Sequence, residues 1–160
     1  MTTLIKNADV RTIALGINVS RAAAQCPTVA LSPQSIFTVS GGRIVLVSLT
    51  GHVTTVMSGT VTTLAVGLTP TEGAATNVST ALASATAVTS LEVGSNVGLG
   101  LTAGAALVVG ANASVPLVLA ARQIINTGVI TLTGSATNTG FLKWDLTYIP
   151  LDTAAQVVSN

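Results

Sequence analysis

Charge, aromatic rings and histidine are all scarce in this 160-residue chain, and each scarcity closes off a class of function. Asp, Glu, Lys and Arg make up 7% of it, against about 25% in an ordinary soluble domain. Six basic and five acidic side chains, net +1, are scattered singly. No basic stripe is present to neutralise a phosphate backbone, so nucleic acid is not an expected partner. The lone Cys26 excludes an internal disulfide and reads as a small buried hydrophobe. With one histidine as well, a zinc site of the usual kind cannot be assembled within one chain.

The same poverty argues against catalysis. A nucleophilic triad would have to use His52, whose neighbours on its strand face are Ser48, Thr50 and Thr54, and no Gly-x-Ser-x-Gly turn presents a serine to it. The glycine-rich run from Gly98 to Gly104 misses the dinucleotide-binding spacing because position 103 is alanine, and no P-loop lysine follows. The acids Asp9, Glu72, Glu92, Asp145 and Asp152 are dispersed instead of paired. The expectation is a non-enzymatic protein with no catalytic residue, metal or cofactor. Hydropathy is high, and no charge occurs from Val93 to Ala121. Even so, Asn96, Thr102, Asn112, Ser114, Pro116 and several glycines interrupt that stretch. No window of about 20 apolar residues results, and no membrane span is expected. The opening Met-Thr-Thr-Leu-Ile-Lys lacks the basic-then-apolar pattern of a secretory signal, which points to synthesis in the cytoplasm.

What the chain does contain is period-2 alternation. The clearest stretch runs from Gly128 to Pro150 and reads as a β-hairpin. In its second arm Leu142, Trp144, Leu146 and Tyr148 fall on one face and Lys143, Asp145 and Thr147 on the other. The single Trp, the single Tyr and one Phe lie between Phe141 and Tyr148. Phe141, Trp144, Leu146 and Tyr148 are therefore candidate anchors, either of the core or of a seam between subunits. Lys143 and Asp145 are either a solvated pair or part of such a seam, where Arg43 or Arg122 of a neighbour could fix orientation. His52 is the remaining candidate polar seam residue.

Arg43 to Met57 is the second strong strand, with Val45, Val47, Leu49, Val53 and Met57 on one face and Gly51 as a bulge or close-approach point. Thr60 to Thr69 alternates in its turn and reads as its antiparallel neighbour. Thr28 to Leu31 and Gln34 to Val39 read as short strands, and Gly41-Gly42 as a turn. Ser20 caps a short helical turn over Arg21 to Cys26, stopped by Pro27. Ala74 to Ser90 reads as irregular or weak strand, and Thr89 to Glu92 as a single capped helical turn. Ala105 to Val109 and Val115 to Ala121 read as strands buried on both faces. Leu151 to Asn160 reads as a tail, loose unless held by a neighbour.

Together these features predict one all-β domain, an antiparallel sandwich or barrel of about seven to nine short strands. A possible N-terminal arm covers 1–27, a β core 28–149 and a C-terminal tail 150–160. So few charges over so much Val, Leu, Ile and Ala would leave a lone monomer with large apolar patches. A homo-oligomer, or a lattice on another protein, is the expected remedy.

The run from Ile36 to Thr55, IFTVSGGRIVLVSLTGHVTT, with GVITL at 128–132 and GFLKWDLTYIPL at 140–151, resembles small virion proteins of tailed bacteriophages. Within that group it is most similar to capsid decoration, or cement, proteins. The resemblance implies a β-rich homo-oligomer, commonly a trimer, on the outer surface of an icosahedral shell. There it would bind the major capsid protein and reinforce capsomer joints against internal DNA pressure. The rival expectation is a tail-fibre, baseplate or head-fibre module that binds a host surface.

Overall fold

The structure, a computed structural model, describes residues 10, 12, 14–72, 80–100, 102, 104–111 and 122–160. They form an all-β structure of two sheets; ahead of it Val10, Thr12, Ala14 and Leu15 are helical, with Gly16 N donating to Thr12 O at 2.8 Å, so this part of the N-terminal segment is neither an extended arm nor a strand. The strands are β1 (Ile17–Gln25), β2 (Gln34–Ser40), β3 (Ile44–Thr55), β4 (Thr63–Pro70), β5 (Thr80–Ala87) and β6 (Asn96–Gly98). They continue with β7 (Gly104–Ala106), β8 (Val108–Gly110), β9 (Gln123–Ile125), β10 (Gly128–Gly134), β11 (Phe141–Pro150) and β12 (Gln156–Ser159). The first sheet runs β1-β11-β3-β6-β8, with β9 also paired to β3. The second runs β12-β2-β10-β4-β5-β7. All pairs are antiparallel except β5 with β7. No helix among the described residues is long and apolar enough to cross a membrane.

The strongest alternating stretches are strands, but they do not pair as their order along the chain suggests. β10 and β11 are not a hairpin, because they lie in different sheets. Nor do β3 and β4 pair. Instead β11 pairs with β3 from Pro150 opposite Ile44 to Phe141 opposite Thr55, and β10 pairs with β4 from Gly128 opposite Pro70 to Gly134 opposite Leu64. The physical reason is that each of these strands has an apolar face to bury, and arms in different sheets can bury theirs in one shared core. Phe37, Leu64, Ile130 and Leu132 of the second sheet join Leu49, Leu142 and Trp144 of the first in a single buried cluster. Each such large side chain contributes about 1.5 to 3 kcal/mol on burial.

The gaps between sheet edges are bridged. On one side the chain leaves β7 in the second sheet, turns at the buried Leu107 and enters β8 in the first. On the other, Arg21 Nε on β1 donates to Asn160 O beside β12 at 2.9 Å, and Gln34 Nε2 on β2 donates to Gln25 O on β1 at 3.0 Å. Edges tied in this way offer less template for pairing with foreign strands.

Several local expectations are corrected. Arg21 to Cys26 is not helical; Arg21 to Gln25 belongs to β1, paired with β11, and Ser20 bonds to Asp145 instead of capping a helix. Thr28 to Leu31 is a turn, in which Leu31 has φ +57°, outside the strand region. Thr89 caps nothing either: its hydroxyl accepts the Thr62 N–H at 3.0 Å, tying two loops together. β7 and β8 are exposed or half-buried, not buried on both faces. The expected strand at Val115 to Ala121 lies outside the described residues. The tail contains a strand, because Gln156 to Ser159 pairs with Ser40 to Phe37 and buries Val157.

In β3 the buried phase changes midway. Ile44 and Leu46 face the core before the change, and Leu49, Gly51 and Val53 after it. The pairing with β11 slips between Leu46 opposite Tyr148 and Ser48 opposite Thr147, so Val47 is the extra residue of a bulge. The expected bulge at Gly51 is therefore displaced; Val45 is half-buried, and Val47, though buried, stands outside the shared core cluster. The close approach at Gly51 is real: it stands opposite Trp144, and a Cβ there would lie 3.0 Å from three carbons of the indole six-membered ring. Because that ring is fully buried, Gly51→Ala is expected to lower stability by about 1 to 3 kcal/mol, measured by urea unfolding.

Candidate functional site

The outward face of the first sheet gathers three of the polar residues singled out in the sequence. β3 and β11 place His52 opposite Lys143 and Thr50 opposite Asp145; β1 adds Ser20 opposite Asp145, and β6 adds Asn96 opposite His52. Lys143 Nζ lies 3.7 Å from Asp145 Oδ2, and both side chains are partly exposed. Ser20 Oγ donates to Asp145 Oδ1. His52 Nδ1 donates to Asn96 Oδ1 at 3.0 Å, so this imidazole is paired with an amide instead of a serine or carboxylate. Asn18 Nδ2 donates to Thr147 Oγ1 at 3.2 Å, extending the polar strip. Among the described residues no group of three or more His, Cys, Asp or Glu side chains is placed to hold a metal ion.

The same face changes character towards the start of β3. The bulge brings Val47 and Ser48 together beside a groove of about 290 Å3, whose other walls among the described residues are Ala14, Leu15, Asn18, Arg122 and Thr147. Leu15 stands open to solvent, as does Ile124 of β9, opposite Val45 of β3. The outward face is thus polar near His52 and apolar near Leu15. Sequence reasoning missed this groove because its walls come from four separate segments and depend on a bulge of one residue.

Arg43 does not join the strip. The Gly41-Gly42 turn, with φ +71° and +144°, presents it to the connection between β11 and β12. Arg43 N donates to Asp152 Oδ2 at 2.7 Å, while Nε and Nη2 donate to the two carboxylate oxygens, each at 3.1 Å. Leu151 N donates back to Arg43 O at 3.0 Å. This forked geometry is the strongest form of the pair, and it occupies Arg43 within its own chain.

The hydrogen bonds from the Arg43 side chain, then the one from its backbone, hold the Asp152 carboxyl down to about 2 from an ordinary 3.8. A carboxyl lowered on folding stabilises the fold above its unfolded value, and the contribution fades as pH falls through the folded one. The clamp is therefore expected to act fully above pH 3.8 and to be lost as pH falls towards about 2. Urea midpoints of wild type and Asp152→Asn, compared across that window, should converge at its acid end.

Of the aromatic-face residues, Trp144, Leu146 and Tyr148 are buried in the core, with Trp144 and Leu146 fully enclosed. Phe141 lies on the opposite face, 38% exposed, at the end of the sheet. Cys26 is fully buried, and desolvation pushes its thiol up to about 12, in keeping with a packing role. The residue most clearly missed by sequence reasoning is Asn138, which is 1% exposed. Its Oδ1 accepts from Ser58 N at 2.8 Å and Gly140 N at 3.0 Å, and its Nδ2 donates to Thr62 Oγ1 at 3.2 Å. It locks the β3–β4 and β10–β11 connections together.

The fold and this surface define an all-β protein of two sheets, the first of which carries a polar strip and an apolar groove on its outward side. No protein-family model, curated protein or solved structure matches the chain.

Proposed function

We propose that this chain is a non-enzymatic structural protein of a tailed-bacteriophage virion. It forms a homo-oligomer, a trimer by its resemblance to decoration proteins, and binds the major capsid protein on the outside of the shell. There it cements capsomers against internal DNA pressure. In this reading the two sheets pack as a β-sandwich, the segment ahead of β1 is the arm that reaches a neighbour, and the protein is made in the bacterial cytoplasm.

The observation that carries the reading is the mismatch between apolar surface and available charge. Leu15, Leu31, Val61 and Ile124 are 61%, 75%, 79% and 63% exposed. Of the acids and bases among the described residues, Arg43 with Asp152 and Lys143 with Asp145 are already paired within the chain. A surface of this kind suits permanent burial against other subunits better than life as a free monomer.

Cryo-electron microscopy of the parent particle tests the reading. Density for this fold over capsomer joints is the expected result, and absence of the protein from purified heads would overturn it. Size-exclusion chromatography with light scattering tests the oligomer separately, where a mass above the monomer is expected.

A further inference from the structure

The groove beside Leu15 has one feature that selects its occupant. Its apolar walls among the described residues, Ala14, Leu15 and Val47, adjoin Arg122. Arg43 and Lys143 have carboxylate partners, and Arg21 donates to a backbone carbonyl. Arg122 is the one cation among the described residues with no such partner. A fitting occupant brings a carboxylate next to a small apolar side chain.

This chain carries such a feature elsewhere on its own surface. Among the described residues two acids, Glu72 and Glu92, lack a basic partner. Glu72 lines the notch that already holds Arg43 and Asp152. Glu92 is exposed and is followed by Val93, 53% exposed. The corner they form is preset: Ser95 N donates to Glu92 O at 3.1 Å, and Gly94 N donates to Val53 O at 3.0 Å, anchoring it to the far part of β3. From Ser48 at the groove to Val53 at the corner is about 17 Å along one strand. Two different patches that far apart meet head to tail between copies, an arrangement that closes a ring when the rotation between copies allows and extends as a filament when it does not.

We propose that the Glu92–Val93 corner of one protomer seats in the groove of the next, with Val93 against Leu15 and Val47 and Glu92 paired to Arg122. The partner is a second copy of this chain. The inference rests on the oligomeric reading above and names the seam that builds the ring.

Charge reversal tests it, with mass read by light scattering and folding checked by circular dichroism. Arg122→Glu and Glu92→Arg are each expected to reduce the oligomer to monomer, and the doubly substituted chain to restore it. Val93→Ser, which leaves every charge in place, is expected to weaken assembly about tenfold in Kd. Single reversals that keep the wild-type mass overturn this seam while leaving the oligomer standing, and failure of the double variant to reassemble overturns the pairing. A wild-type chain that is already monomeric overturns both the seam and the oligomeric reading.

Discussion

Trp144→Ala is expected to lower the free energy of unfolding by roughly 3 to 5 kcal/mol. The indole is fully enclosed, and its backbone stands between Arg21 on β1 and Gly51 on β3. Truncation removes the largest buried side chain and opens a cavity that neighbouring strands cannot fill. β3 and β11 are held in register there by a long ladder, and the missing volume lies in a close-packed interior. Urea unfolding followed by far-UV circular dichroism measures the effect, since the variant has lost the chain's only tryptophan as a fluorescent probe. A Trp144→Ala chain with unchanged stability but no assembly would instead make the ring a seam anchor, which its complete burial within one chain argues against.

Asn138→Ala is expected to cost roughly 2 to 4 kcal/mol by a different mechanism, because little apolar contact is lost. The change strips Ser58 N–H and Gly140 N–H of their acceptor and Thr62 of its amide donor. A buried polar group left without a partner costs about 1 to 3 kcal/mol. Thr62→Val removes one of the three contacts together with the bond that Thr62 Oγ1 donates to Thr60 O at 2.9 Å, and should still cost less than Asn138→Ala in the same urea experiment. Equal losses would show that the two backbone contacts together count for no more than the Thr62–Thr60 bond. Both connections locked by Asn138 cross between the sheets, so the variant should also speed proteolysis within 56–62 and 135–140.

The sequence was informative where a long strand kept one apolar face without a bulge, as β3 did not. Leu142, Trp144, Leu146 and Tyr148 could be assigned to one side of β11, and Leu64, Val66 and Leu68 to one side of β4, because side chains of a strand alternate strictly. Short strands carried too few residues for that signal. β6, β8 and β9 have three residues each, and they form only because β3 and its neighbours present edges to them. β12 is similar: Gln156 to Ser159 reads as part of a loose tail until β2 provides its ladder and Asp152 is clamped by Arg43. For the candidate site, His52, Lys143 and Asp145 were individually visible. That they share one face with Ser20 and Asn96 was not.

By itself, then, the sequence determined an all-β chain, the inward faces of β4 and β11 and a surface with little charge. The tertiary structure decided which strands pair, sending β10 and β11, and likewise β3 and β4, to opposite sheets. It also placed the bulge at Val47 and gave Asn138 its three partners. The physical reason is that alternation reports only that a face is buried. What lies against that face is settled by long-range pairing, loop hydrogen bonds and the shape of the shared core, none of which is written in any local stretch of residues.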